Sequence, residues 1–367
     1  MSVYGFNGNV LTSGGNSNSG IPSCVIIAAK NSSQHDKEIA DYVCDGINDE
    51  NEMQSAVDSL TSGGVVKLCN GDYYINDFNV KNESNGYYVA VAMKDTTAQR
   101  EIFFDGVSAP IRENTGSSVD GSAKIVSGAI IHIPLSTLQK CNNSYRNSVF
   151  GVDASSRDFM KNQMRICNVG IEFADNQHSI IGIDGKYLSM MQVENVLITA
   201  VDNASAGVQE CIGIFGLEGA NFGYGYRITN TKMVGLGTGY WMNGEHLIME
   251  QCNARHCNYS YMFQQNVTQQ STHDATIINC CCELCCNFPV FSSGNFKMPY
   301  HLINFNAEIY GDSSKTYATK KMATGNGYGI IEYSIGSTST WMNQDIEFFE
   351  SGHGSGFKCI NMIKATS

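Results

Sequence analysis

One register recurs six times along this chain and limits its fold more than anything else. The segments RICNVGIEF, QVENVLITA, RITNTKMVG, MEQCNARH, IINCCCEL and LINFNAEI share a pattern. An apolar residue is followed by a variable one, a side-chain amide, and then apolar residues at every second position. The aligned amides are Asn168, Asn195, Asn230, Gln251, Asn279 and Asn304, 21 to 35 residues apart and about 27 on average. Alternation with a period of two marks strands that bury one face. A repeat of this length holds three short strands and their corners, which is one coil of a parallel β-solenoid. Each coil buries its inward row only by stacking on the next, roughly 4.7–4.9 Å away. The amide has a place in such a coil, because Asn tolerates the left-handed conformation of a tight corner and can hydrogen-bond to the coil above. A second register, through Gly185, Gly216 and Gly244, accompanies the first. Asn-rich loops in a β-sandwich are the competing explanation, but a sandwich gives no reason for a sixfold register.

Composition agrees with strands and turns. Charged residues are only 16%, against the usual quarter, while glycine reaches 37 and proline only 5. The 23 Lys and Arg face 35 Asp and Glu, a formal charge of −12. Such a chain is a poor partner for nucleic acid, whose phosphates need clustered cations. The first residues, MSVYGFNGNVLTSGG, contain no basic stretch leading into an apolar one, and no apolar run is long enough to span a bilayer. Synthesis in the cytoplasm without a signal peptide, no membrane insertion, and exit by lysis are therefore expected, with the fourteen cysteines mostly reduced.

Residues 1–35 read as an N-terminal extension and a first strand at Cys24–Ala29. In INDENEMQSAVDSLTSGG, Asn48 or Asp49 can cap a helix whose Met53, Ala56, Val57 and Leu60 fall on one face, ended by Gly63 and Gly64. The run VVKLCNGDYYI predicts a strand, an Asn-Gly turn and a second strand. One short helix ahead of unbroken β-structure suggests a plug over an open end. Residues 36–311 then form the helix and the coils. Residues 312–367 fit the frame poorly and form either a β continuation or a cap.

The stretch ADYVCDGINDENEMQSAVDSLTSGGVVKLCNGDYYI, residues 40–75, resembles the opening of pectate-lyase-like β-helix proteins, including phage tailspikes and tail fibres. There an acidic Cys-Asp-Gly segment leads into a capping helix, and Gly-Gly plus a Gly-Asp-Tyr turn open the first coil. The resemblance implies an all-β fold, a right-handed parallel β-helix with a short N-terminal capping α-helix. It carries fold further than activity. Lyases of this fold class hold Ca²⁺ on carboxylates and use an Arg or Lys base. Polygalacturonase-like relatives use Asp clusters with Gly-His-Gly and Arg-x-Lys. This chain has Gly352-His353-Gly354 without the companion motifs, so that triplet is discounted.

Three groups of residues could carry chemistry. The fourth position after each amide should point outward, and it holds Glu172, Thr199, Val234, Arg255, Glu283 and Glu308. Glu283 and Glu308 on successive coils would stand near the roughly 5–5.5 Å separation of a retaining glycosidase, with Arg255 beside them. These three are the candidate catalytic residues. A charged ladder partly neutralised by Arg255 is the simpler and favoured account. Seven cysteines crowd into residues 252–286, with Cys282 and Cys285 as a CxxC and His256 nearby. The pairs Cys252/Cys280 and Cys257/Cys285 are each one local repeat apart, so stacked apolar ladders are preferred to zinc. No metal and no cofactor are expected.

Aromatic residues supply the third group. Tyr240 and Trp241 are adjacent, so in a strand they cannot both face the core, and an exposed ring on a rigid sheet can stack on a sugar. Tyr224, Tyr240, Trp241, Asn243 and Gln264 are the candidate carbohydrate-binding residues. The weakly charged, amide-rich composition suits a neutral glycan better than pectate. Three functions follow as expectations. The first is a phage tail receptor-binding protein, homotrimeric, partnered by other virion tail proteins and by a bacterial surface polysaccharide that it binds or depolymerises. The second is a free-standing polysaccharide lyase or glycoside hydrolase of the same fold. The third is a structural β-helix without a ligand.

Overall fold

A computed structural model describes residues 23–94, 100–114, 123–154, 162–202, 210–216, 223–242, 244–264, 275–285, 290–292, 300–309, 328–335 and 356–364. Its strands fall into three rows. The first row stacks Ser23–Ala28, Gly64–Leu68, Arg100–Gly106, Asn162–Cys167, Met190–Glu194, Tyr226–Thr229, Leu247–Glu250, Ala275–Ile278 and the start of Tyr300–Ile309. The second stacks Gly71–Tyr74, Ala129–Ile133, Val169–Asp175, Leu197–Asp202, Lys232–Val234, Asn253–Arg255, Cys281–Cys285 and the end of Tyr300–Ile309. The third stacks Tyr87–Lys94, Arg146–Asp153, Ile181–Asp184, Ile212–Gly216, Thr238–Met242, Tyr259–Gln264 and Val290–Ser292. Every pairing within these rows is parallel. From Asn162 onward the chain visits the rows in the same order on each turn, so the rest of the coil serves as the long crossover that parallel strands require. This mostly β arrangement, with its long parallel sheet, is compatible with an all-β solenoid.

The corner between the first and second rows is a single residue. Asn168, Asn195, Asn230, Gln251, Asn279 and Asn304 all have φ between 49° and 57°. A side chain with a Cβ resists that conformation, and Asn is among the few that visit it readily. The amides also bond from coil to coil. Asn195 Nδ2 donates to Asn168 Oδ1 (3.1 Å), Asn230 Nδ2 to Asn195 Oδ1 (2.6 Å) and Asn304 Nδ2 to Asn279 Oδ1 (2.8 Å). At the start of the ladder Asn168 Nδ2 donates to Asp105 Oδ1 (3.0 Å), whose other oxygen pairs with Lys67. The recurring amide therefore both turns the chain and ties neighbouring turns together.

Inward columns follow the register. Val66, Phe104, Ile166, Val193, Ile228, Met249, Ile277 and Leu302 stack in the first row, and Tyr73, Ile131, Ile171, Ile198, Met233, Ala254 and Cys282 in the second, all fully buried or nearly so. Each large apolar side chain so buried contributes about 1.5–3 kcal/mol. The third row lies so close to the interior that a Cβ on Gly213 would stand 2.6 Å from the carbonyl oxygen of Gly239 on the next coil. Gly185 and Gly216 do share a register, next to the Asp184–Phe215 pair, but Gly216 pairs with Met242, so Gly244 lies two residues out of step.

The helix Glu50–Ser59 buries Met53, Ala56 and Val57, with Leu60 just beyond its end. Asp49 is its first cap residue, yet its carboxylate bonds elsewhere, accepting from the N–H groups of Gly46 and Tyr74. Gln54 Oε1 accepts from Ala92 N–H (2.8 Å) and Gln54 Nε2 donates to Ala92 O (2.9 Å). The side chain so satisfies backbone groups of the third row as a neighbouring strand would. Asn70-Gly71 is a corner and not a hairpin: Gly64–Leu68 and Gly71–Tyr74 lie in different rows. At the other end Tyr328–Ile335 pairs in parallel onto Tyr300–Ile309, and Gly356–Lys364 pairs in parallel onto Tyr328–Ile335. No helix among the described residues is long and apolar enough to cross a membrane.

Candidate functional site

Two columns of side chains point away from the interior on the second row. One runs Ile130, Gly170, Leu197, Lys232, Asn253 and Cys281; the other runs His132, Glu172, Thr199, Val234, Arg255 and Glu283, with Glu308 the backbone register partner of Glu283 on the next strand. The register thus places the predicted fourth-position residues in one line. What covers that line changes along it. An antiparallel hairpin, Ile111–Asn114 with Ala123–Ser127, lies over the earlier coils. Its Ile125 forms a second small core with Ile130, Leu197 and Val234. A Cβ on Gly170 would stand 2.8 Å from Ile125 Cδ1, so only glycine lets the hairpin sit this close. Glu172, Thr199 and Val234, expected outside in solvent, are buried beneath it.

Past the hairpin the face carries charge. Lys232, Asn253, Arg255, Cys281 and Glu283 are all half-buried, and Arg112 on the hairpin lies within electrostatic reach of Lys232, Arg255 and Glu283. Asn253 Nδ2 donates to Glu283 Oε1 (2.7 Å), and Arg255 Nε lies 3.8 Å from Glu283 Oε2. Burial, and then the guanidinium of Arg255, lower the pKa of Arg112, against the pull of Glu283. Burial and then Arg112 likewise lower that of Lys232. Three cations therefore share one patch with one described carboxylate. Glu283 and Glu308 pair directly in register, and the side chain of Glu308 lies outside the described residues. The carboxylate of Glu283 has a donor on one oxygen and a cation near the other, as in a neutralised ladder.

A second cluster lies on the other side of the hairpin. His132 Nε2 meets Asp72 Oδ1 at 2.8 Å and Nδ1 meets Glu172 Oε1 at 3.1 Å. Glu172 Oε2 accepts from Ile125 N–H (2.9 Å), and Tyr74 stacks on the imidazole at 5.0 Å. Burial opposes the charged imidazole, but the hydrogen bonds to Glu172 and Asp72 outweigh it and raise the His132 pKa. Both ring nitrogens are occupied, so this cluster fastens the hairpin to the first coil and leaves no nitrogen for a substrate. Sequence reading missed it, because Asp72, His132 and Glu172 are 60 and 40 residues apart and only the register unites them.

The predicted aromatic platform divides. Tyr240 is fully buried, its hydroxyl on Thr231 Oγ1 (2.9 Å) and its ring stacked on Tyr261 at 4.8 Å. That ring has no face left for a sugar, and its assignment as a binding residue is corrected. Trp241 is the outward member, half-buried and edge-on to Phe215 at 5.5 Å. Asn243 and the side chains of Tyr224 and Gln264 lie outside the described residues, as does Gly352-His353-Gly354.

The cysteines stack as ladders. Cys252 N–H donates to Cys280 Sγ at 3.4 Å, and Cys252, Cys257, Cys280, Cys282 and Cys285 are all buried. Strict alternation would put Cys282 and Cys285 on opposite faces, yet both reach the interior because the register shifts between Glu283 and Cys285. Cys44, Asp49 and Glu52 hold their ligand atoms within 4.8 Å of one another beside the capping helix. Burial keeps the Cys44 thiol far above its usual pKa, which disfavours the thiolate a metal would need.

No protein-family model matches the chain, and no curated protein matches it in sequence. Among solved structures it is similar to ORF18 of Geobacillus virus E2, at 13% identity and a TM-score of 0.31. The match covers 85% of this chain and 56% of that one, so the chain spans little more than half that protein's length. A likeness this slight carries no argument about fold or function.

Proposed function

We propose that this chain is a right-handed parallel β-helix of the pectate-lyase-like type, and that it serves as a phage tail protein binding a bacterial surface polysaccharide. The observation that carries this reading is the half-buried patch of Lys232, Asn253, Arg255 and Glu283 on three successive coils. A stack of coils repeats its side chains at a fixed step, and an extended polymer repeats its own groups along the same axis. Amide, guanidinium and carboxylate groups together supply both donors and acceptors for hydroxyls. The opening at residues 40–75, with its resemblance to tailspikes and tail fibres, supports the tail assignment and a homotrimeric assembly. Depolymerisation of the bound glycan would fall to Glu283 and Glu308, with Arg255 beside them.

Purified surface polysaccharides from a panel of bacteria, titrated by calorimetry, test the reading. Binding by the parent protein that weakens at least about tenfold in Asn253→Ala and Arg255→Ala is the expected result, equivalent to ~1.4 kcal/mol. Unchanged binding in both variants overturns the choice of face. New reducing ends that vanish in Glu283→Gln would add an activity. Light scattering reads the trimer directly, and a monomer would count against the tail assignment.

A further inference from the structure

The start of the capping helix gathers side chains that the coils do not use. Cys44 follows the short strand Tyr42–Val43, Asp49 directly precedes the helix, and Glu52 lies in its first turn. One sulfur and two carboxylate oxygens there all lie within 4.8 Å of one another. We infer that Cys44, Asp49 and Glu52 hold a divalent metal ion of the zinc class, which fastens the helix to the segment before it. The inference is independent of the polysaccharide reading and reverses the expectation of no metal.

Two observations separate this group from an ordinary acidic helix start. Such carboxylates usually serve the helix itself. The residue before it caps a backbone N–H, and a Glu three places on accepts from the cap residue's own N–H. Both uses are refused here. The Asp49 carboxylate accepts from Gly46 and Tyr74 N–H, and the Asp49 N–H donates to Tyr74 O at 3.0 Å. Glu52 Oε2 is left buried with no hydrogen-bond partner. The second observation is the thiol, for Cys44 is 1% exposed and its Sγ has no hydrogen bond among the described residues. An orphaned acceptor and an unpartnered thiol, buried beside a second carboxylate, carry a cost that a cation would offset. Burial, then the charges of Asp49 and Glu52, keep the thiol protonated while no ion is bound. The same carboxylates that repel a thiolate attract a dication. On binding, the S–H proton leaves to solvent and the sulfur bonds the metal in its place. A sulfur ligand selects zinc-class ions over calcium and magnesium, which take oxygen shells. Three protein ligands leave the fourth position of a tetrahedral ion to water.

The test uses the full chain, kept reduced with a phosphine, stripped with a chelator and titrated with Zn²⁺ or Co²⁺ alone. Saturation at a single ion per chain is expected, and with Co²⁺ a sulfur-to-metal charge-transfer absorption in the near ultraviolet. Cys44→Ser should abolish that absorption, and Glu52→Gln should weaken Zn²⁺ binding at least about tenfold. Glu52→Gln leaves every cysteine in place and removes no hydrogen bond of Oε2. Its metal-free urea midpoint should therefore match the parent's, which separates a lost ligand from a damaged fold. Zn²⁺ should also slow hydrogen exchange at Tyr74 N–H while leaving Ile277 N–H, in the later coils, unchanged. Absence of Zn²⁺ binding overturns the inference, as does a Co²⁺ complex without sulfur absorption. Zn²⁺ binding that persists in both Cys44→Ser and Glu52→Gln places the ion on other cysteines and overturns it too. Equal competition by Ca²⁺ would remove the thiolate from the site, with the same result.

Discussion

The outer face of the second row behaves differently on the two sides of Val234. Before it, Glu172, Thr199 and Leu197 are buried under the hairpin; after it, Arg255, Asn253 and Glu283 are half open to solvent. These residues occupy the same two outward columns. The contrast teaches that periodicity decides which side of a sheet a residue leaves from. An insertion between coils decides whether that side meets water or a second core. The largest effect should therefore come from a charge placed where the columns are covered. Val234→Asp buries a carboxylate among Ile125, Ile130 and Leu197, and an uncompensated buried charge costs on the order of 3–5 kcal/mol. Arg255→Ala, one coil further on, should cost under about 1 kcal/mol. Urea unfolding of the two variants measures both, and equal losses would erase the distinction.

The amide ladder gives the next largest effect, and it separates two roles of one side chain. Asn230→Gly removes the hydrogen bond to Asn195 but keeps the left-handed corner easy, so a loss of about 1 kcal/mol is expected. Asn230→Val adds the strain of a branched residue at φ 49°, raising the loss by a further ~1–2 kcal/mol. Equal destabilisation by Gly and Val would mean that the corner itself is unstrained. Tyr240→Phe should cost about 1 kcal/mol through its contact with Thr231 while leaving polysaccharide binding untouched, since the ring is buried. A binding defect in that variant would return Tyr240 to the surface.

What could be read from the sequence is what repeats. The amide at the corner, the inward columns on either side of it and the helix with Met53, Ala56 and Val57 on one face follow from short-range spacing. Adjacent Tyr240 and Trp241 required that one ring face outward, but adjacency alone does not say which, and it is Tyr240 that is buried. Alternation alone likewise does not place the CxxC, since a single register shift after Glu283 turns Cys285 inward. The hairpin carries no repeat, and nothing in its own residues says that Ile125 will settle on Gly170. The cationic patch depends on that docking, because Arg112 is brought to Lys232 and Arg255 by the hairpin alone. Sites assembled by an insertion on a repeating scaffold are invisible to the repeat.

The smallest effect concerns the clasp that holds the hairpin. His132 bridges Asp72 on one coil and Glu172 on another, and Glu172 in turn accepts from Ile125 N–H. An imidazolium donates from both nitrogens, whereas a neutral ring donates from only one and must turn a lone pair toward the other carboxylate. Because the folded-state pKa of His132 is raised, the stabilisation is fully present below the ordinary value near 6.5 and fades as pH climbs through the raised value. Hydrogen exchange at Ile125 N–H, corrected for the intrinsic rate, should therefore quicken across that interval while exchange at Ile198 N–H in the inward column keeps its protection. His132→Gln, which has no charge to lose, should flatten the dependence. If exchange at the two sites rises together, the hairpin and the coils unfold as one unit, and the two stretches of the face are not separable elements after all.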